Sequence, residues 1–173
     1  MMIEVLWLGR GGQGAFTAAK LLGAAYTSKG EAYYALAFPS FGPERRGAPV
    51  RAFTKLSQKP VVDRSQTEKA DYIIILDETL YSEDLKEHLK PDGKMIINTK
   101  QSQDEKVVAI DGNQLASKLH LPTTNTVMLG AIAAISGIVS KQDVLRAIED
   151  YMPKKIQERN KQAVLQIAEE VAK

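Results

Sequence analysis

Residues 9–14, Gly9-Arg10-Gly11-Gly12-Gln13-Gly14, fit G-x-G-x-x-G at every position. Glycine suits such a turn because positive φ and close backbone approach both exclude a Cβ. The free N–H groups at the start of a following helix favour an anion, so Gly11, Gly12, Gln13 and Gly14 are candidate ligand-binding positions. A second candidate pair, Arg45 and Arg46, lies in the stretch PSFGPERRGAP, residues 39–49. Guanidinium groups fork onto phosphate or carboxylate. A third candidate is Asn125 in Thr123-Thr124-Asn125-Thr126, which precedes an apolar run. Asn125 or Thr124 there either caps a helix or helps to hold an anion at a second helix start. The chemistry implied is anion recognition, and no catalytic constellation is evident.

Other reactive types narrow the class further. The chain has no cysteine, which excludes disulfides, thiolate zinc sites and cysteine-ligated iron–sulfur clusters within it. Its two histidines, His88 and His120, have no acid in ligand spacing and read as surface residues, so no metal site is expected. Asp77-Glu78 follows a short apolar run and reads as a helix-start acid, although functional groups gather at such strand ends. Trp7 reads as core. Residues 40–64 carry six basic side chains against two acidic ones, whereas residues 67–105 carry five against ten. That asymmetry suits an anionic ligand or a charged partner, or is an uneven solvated surface. The basic segment lacks interleaved stacking aromatics, so nucleic acid is not an expected partner. The longest apolar stretch, residues 127–139, is interrupted and too short to span a bilayer. With no signal-like start, a cytoplasmic location is expected.

The elements that must position these residues alternate. Residues 3–8 read as a buried strand, 12–29 as a helix and 31–38 as a strand ended by Pro39. Three prolines and two glycines make residues 39–49 irregular. Residues 50–56, 72–76, 95–98 and 107–110 read as strands, and 80–90 as a helix stopped by Pro91-Asp92-Gly93. Helices follow at 114–119, 127–139, 141–151 and 154–172, with Ser140 and Asp143 as an N-terminal cap of the third. The expectation is a single α/β domain over residues 1–173, with a mostly parallel or mixed sheet and a helical C-terminal segment. If strands one and two run in parallel, the loops at 9–14 and 40–47 share one edge and face each other across a crevice. A nicotinamide site would also need an acid at the end of the second strand. That strand ends Ala37-Phe38, and Glu31 is at its start.

Three motifs, GRGGQG, then FPSFGPERRGAPVRAF, then PTTNTVMLGA, span residues 9–131. In this order they resemble the gamma subunit of pyruvate:ferredoxin oxidoreductase and, more broadly, of the 2-oxoacid:ferredoxin oxidoreductases. The form GPERRGAP is similar to the pyruvate and 2-ketoisovalerate members. The resemblance implies a Rossmann-like domain in a multisubunit enzyme that decarboxylates a 2-oxoacid, transfers the acyl group to coenzyme A and reduces ferredoxin. It implies alpha, beta and delta-type partner subunits, with thiamine diphosphate, magnesium and 4Fe-4S clusters on those partners and ferredoxin engaged only indirectly. Coenzyme A would be a shared substrate met by this chain, which would be inactive alone. The alternatives are an NAD(P)-dependent reductase using the glycine loop, a 2-ketoisovalerate-specific member of the same family, and an anion-binding or assembly module without turnover.

Overall fold

The computed structural model describes residues 1–40 and 46–173. Six strands form one sheet: β1 (Ile3–Arg10), β2 (Tyr34–Pro39), β3 (Pro49–Ser57), β4 (Ala70–Ile75), β5 (Leu89–Asn98) and β6 (Val107–Ile110). Their spatial order is β2-β3-β1-β4-β5-β6. β1, β4, β5 and β6 are mutually parallel, while β3 runs antiparallel to both β1 and β2. β2 therefore points the same way as β1 but is not its neighbour. The strand direction agrees with the sequence reading; the adjacency of a simple parallel pair does not hold, because β3 is inserted between them.

The five helices are α1 (Ala15–Thr27), α2 (Gly112–Lys118), α3 (Asn125–Ser136), α4 (Lys141–Tyr151) and α5 (Lys154–Ala172). All of them feed one core, on the sheet face that carries Val5, Trp7, Leu56, Ile74 and Ile96. The opposite face carries Leu6, Leu8, Phe53, Ile73, Ile75 and Met95 and is covered by Leu85 and Leu89, with Phe38, Leu80 and Tyr81 at its margin. Burial on both faces is why the central strands read as continuous apolar runs rather than alternating ones. Trp7 lies wholly inside the helix-side core, and its Nε1–H donates to Thr54 Oγ1 at 3.0 Å. Thr54 in turn donates to the Ala19 carbonyl of α1 at 2.9 Å, so a polar chain links the sheet to the helix without leaving an unpaired group.

Helices α4 and α5 keep the boundaries read from the sequence, and α4 opens with a full capping box between Ser140 and Asp143. The stretch 80–90 is different. It forms two 3₁₀ turns, Glu78–Leu80 and Glu83–His88, and β5 already begins at Leu89. Only Leu85 of those turns is buried, too little apolar surface to hold an α-helix against the sheet. Pro91-Asp92-Gly93 lies inside β5, next to an irregularity in its pairing with β4, instead of ending a helix. Among the described residues, no helix is long and apolar enough to cross a membrane.

Candidate functional site

β1 and β4 end side by side, and the loops that leave their carboxyl ends build the site. At the end of β1, Gly12 and Gly14 take φ of 93° and 81°. Gly14 is the residue from which α1 starts. The glycine loop is joined to the second candidate segment by direct pairing: Gly11 N–H donates to Ala48 O at 2.8 Å, and Gly47 N–H donates to Gly11 O at 3.1 Å. Gly11 and Arg46 form a parallel bridge. The two loops share one edge, as the strand directions require, but they touch instead of facing each other across a gap.

The crevice lies on the other side of the glycine loop. It is an open hollow of about 500 Å³ lined by Gly11, Gly12, Gln13 and Arg46 on one side and by Asn113, Thr123 and Thr124 on the other. Arg46 is exposed, and its side chain runs beside Gly12. Arg45 lies outside the described residues. Gly14 and Asn125 do not line the hollow. They engage each other: Asn125 Nδ2 donates to Gly14 O at 3.3 Å. Asn125 Oδ1 accepts from Thr126 N–H at 3.0 Å and from Thr123 Oγ1 at 2.7 Å. Asn125 is therefore spent on joining the starts of α1 and α3. Thr124 is the cap position of α3 without a side-chain bond to the helix. The hollow is thus bordered by the glycine loop, by Thr124 at the cap of α3 and by the exposed Arg46, which together favour an anion there, whereas the start of α1 opens beside Pro39 and Val50 instead.

Two further residues hold this arrangement: Asn98, which the sequence reading does not single out, and Asp77, which it reads as a helix-start acid at a strand end. Asn98, at the end of β5 and 5% exposed, is bonded on both sides of its amide. Its Nδ2 donates to Leu76 O at 3.0 Å and Asn113 Oδ1 at 3.0 Å, and its Oδ1 accepts from Gly112 N–H at 2.9 Å and Asn113 N–H at 3.2 Å. It fixes the start of α2 against the end of β4. Asp77 does more than start a turn. Its Oδ1 accepts from Thr79 N–H at 3.0 Å and Thr79 Oγ1 at 2.6 Å. Its Oδ2 accepts from Gln13 Nε2 at 3.2 Å and faces Arg10 Nε at 3.3 Å. The Thr79 hydroxyl first, then the Thr79 and Gln13 N–H groups and the Arg10 charge, hold its carboxyl below the usual carboxylate range. Gln13 also accepts from Arg10 N–H through Oε1 at 2.7 Å, so both ends of its amide are bound within the site. The signal available in sequence was the position of Asp77 after a buried strand, with threonine two residues on.

Other candidates separate from this edge. His88 and His120 are exposed and apart from the hollow. Among the described residues, no group of three histidine, aspartate or glutamate side chains is placed to hold a metal ion. With no cysteine, the chain cannot hold a cysteine-ligated iron–sulfur cluster. Lys55, one of the six basic residues of the 40–64 segment, is wholly buried and paired with Asp63 at 3.0 Å and Glu4 at 3.6 Å. It is withdrawn from any surface recognition. Among the described residues, the carboxyl end of β2 offers Phe38-Pro39-Ser40 and no ribose-binding acid, while Glu31 precedes the strand at the opposite edge.

Comparison with known proteins shows which family the chain resembles over its length. The family model described as Pyruvate ferredoxin/flavodoxin oxidoreductase matches residues 4–170. A protein named Pyruvate synthase subunit PorC from Methanothermobacter thermautotrophicus is 44% identical, covering 99% of this chain and 97% of its own length. The Pyruvate/ketoisovalerate oxidoreductases common subunit gamma from Pyrococcus abyssi is 41% identical, with 94% of this chain and 93% of that protein covered. Among solved structures, pyruvate oxidoreductase subunit PORC from Thermotoga maritima superimposes with a TM-score of 0.82 at 32% identity, covering 97% of this chain and 96% of that one. None of these relatives favours a free-standing nicotinamide reductase.

Proposed function

The chain belongs to the pyruvate ferredoxin/flavodoxin oxidoreductase family as a gamma-type subunit, and from that premise we propose that it serves a cytoplasmic, multisubunit pyruvate:ferredoxin oxidoreductase as the subunit on the coenzyme A side. Oxidative decarboxylation and electron transfer take place on alpha, beta and delta-type partners, which carry thiamine diphosphate, magnesium and the 4Fe-4S clusters and pass electrons to ferredoxin. This chain has no cysteine thiolate, and among the described residues no group of three histidine, aspartate or glutamate side chains is placed to hold a metal ion. Its own contribution is the hollow at the carboxyl edge, which receives phosphate of coenzyme A or a carboxylate of a catalytic subunit. The choice of 2-oxoacid rests with the partners. A relative 41% identical is named as a subunit common to pyruvate and ketoisovalerate enzymes, in keeping with that division.

The observation that carries this reading is the pairing of Gly11 with the 46–48 strip. It places the Arg46 backbone beside a glycine loop from which a thirteen-residue helix starts. An exposed guanidinium beside the glycine loop and the cap of α3 matches an anionic oxygen cluster better than a nicotinamide ring. The test is the assembled enzyme with Arg46→Ala. The KM for coenzyme A is expected to rise on the order of tenfold, or the subunit to dissociate more readily, with Arg46→Lys only partly restoring either property. Normal assembly together with an unchanged coenzyme A dependence would refute the reading.

A further inference from the structure

Arg10 holds the unspecified second position of the glycine loop, and the anion-binding reading gives it no task. Its guanidinium nevertheless binds two other segments of the edge. Nη1 donates to Gly47 O at 3.1 Å, 37 positions away, and Nη2 donates to Thr79 Oγ1 at 2.9 Å, 69 positions away. Nε faces Asp77 Oδ2 at 3.3 Å. One planar cation thus ties the loop after β1 to the strip before β3 and to the turn after β4. The same Asp77 oxygen accepts from Gln13 Nε2, and Gln13 Oε1 accepts from the Arg10 N–H, which closes a ring of contacts around the glycine loop. Without Arg10, the named links between the strip and the loop are the two backbone bonds at Gly11.

The Arg10 side chain is one-third exposed and that of Asp77 about one-fifth. An ion pair so placed adds little to global stability. What it adds is geometry, because a guanidinium presents its donors in a fixed fork that a lysine ammonium cannot copy. We propose that Arg10 is a positioning residue: it sets where the 46–48 strip, and with it Arg46, stands relative to the glycine loop. This rests on the reading of the hollow as an anion site, and a displacement of the strip would misplace the Arg46 charge relative to the glycine loop and the Thr124 cap of α3.

The test compares Arg10→Ala, Arg10→Lys, Asp77→Asn and Arg46→Ala in the assembled enzyme. Arg10→Ala is expected to raise the KM for coenzyme A on the order of tenfold while kcat stays within about twofold, the signature of lost binding geometry. Arg10→Lys should stay close to the alanine variant, and Asp77→Asn should move KM in the same direction. If Arg46→Ala raises KM and Arg10→Ala does not, the positioning role is overturned and the anion site stands. If Arg46→Ala changes neither KM nor assembly, both fall together. Amide hydrogen exchange on the full chain gives a readout independent of assembly. Arg10→Ala should speed exchange at Gly11 and Gly47 several-fold and leave the amides of α5 unchanged. Unchanged rates at Gly11 and Gly47 would overturn the inference.

Discussion

Asn125 Nδ2 reaches across 111 positions of sequence to the carbonyl of Gly14, so the first residues of α3 and the cap of α1 are fixed to each other. Two helix starts that the sequence separates widely are joined directly. Gly14 is obligatory for this contact. Its φ is 81°, and a Cβ there would overlap the Asn125 amide nitrogen.

Gly14→Ala should therefore destabilise by about 2–4 kcal/mol, combining left-handed strain with displacement of Asn125. Gly47 provides the control. Its φ is 84°, but a Cβ there meets nothing within 4 Å. Gly47→Ala should cost only about 1–2 kcal/mol of backbone strain. Thermal unfolding of the two variants beside the parent chain reads the difference. Equal losses would mean that the Asn125 contact contributes nothing.

Asn98 offers a second stability test. Its buried amide is bonded on both sides, so Asn98→Ala leaves the Leu76 carbonyl and the Gly112 N–H without their partner. The expected loss is about 2–4 kcal/mol. Asn98→Asp should be no better than alanine, because it brings a charge into a 5% exposed site and removes the donor to Leu76 O. Chemical denaturation with an unchanged slope and a lowered midpoint would match this expectation.

Lys55 is buried beside Glu4, and Glu4 is shared with Lys90, which also pairs with Asp71 at 2.7 Å. Removing one member of such a group leaves a carboxylate less well paired. Lys55→Ala should cost about 3 kcal/mol, and Lys55→Met, which refills the volume, less than that. If methionine restores full stability, the charge group is dispensable for folding.

The dependence of stability on pH follows from the paired carboxylates. Asp63, Asp77, Asp104 and Glu83 are all held below the usual carboxylate range, Asp63 chiefly by the Ser65 hydroxyl, Asp77 by Thr79, and Asp104 and Glu83 by Lys86. A lowered folded-state pKa gives stability that is present above the unfolded value, near about 4, and is lost as pH falls through the folded value. Lys86 is shifted up by Asp104 and Glu83, so its contribution is complete below the unfolded lysine pKa and fades at strongly alkaline pH. Thermal midpoints should be flat across neutral pH and fall below about pH 4. In Asp77→Asn the acid limb should become shallower. An acid limb unchanged by that substitution would remove Asp77 from the account.

The isolated chain is expected to fold and to oxidise no 2-oxoacid. It lacks every cysteine that an iron–sulfur cluster needs. Ferredoxin reduction measured with the purified chain alone, then with partner subunits added, checks this; turnover by the chain alone would contradict it.

The parts of the fold legible in sequence were those with strong local patterns. β1 reads as one continuous apolar run, α5 carries a helical periodicity, and α4 announces its start through Ser140 and Asp143. The glycine loop and Arg46 were visible because rare residue types cluster there. Less legible was anything decided by a distant partner. Leu89 begins a strand because Ala70 is there to pair with it, not because of its neighbours. Lys55 reads as a surface residue of an alternating strand, yet Glu4 lies directly opposite in the pairing of β1 with β3, and the position is buried. Asn98, Asp77 and Arg10 matter through bonds to residues at least fourteen positions away, which no spacing rule records.

The insertion of β3 between β1 and β2 also constrains the order in which the chain assembles as it leaves the ribosome. When residue 40 has been made, β1 and β2 both exist as sequence, yet neither has a strand to pair with, since each of them binds β3. α1 by itself leaves apolar side chains such as Leu21 and Leu22 without their sheet. The first moment at which a sheet can form is the synthesis of residues 49–57, which supplies both missing edges at once. That segment directly follows the arginine motif. Nascent chains stalled before it should remain accessible to chaperones and proteases, and those stalled after it should not.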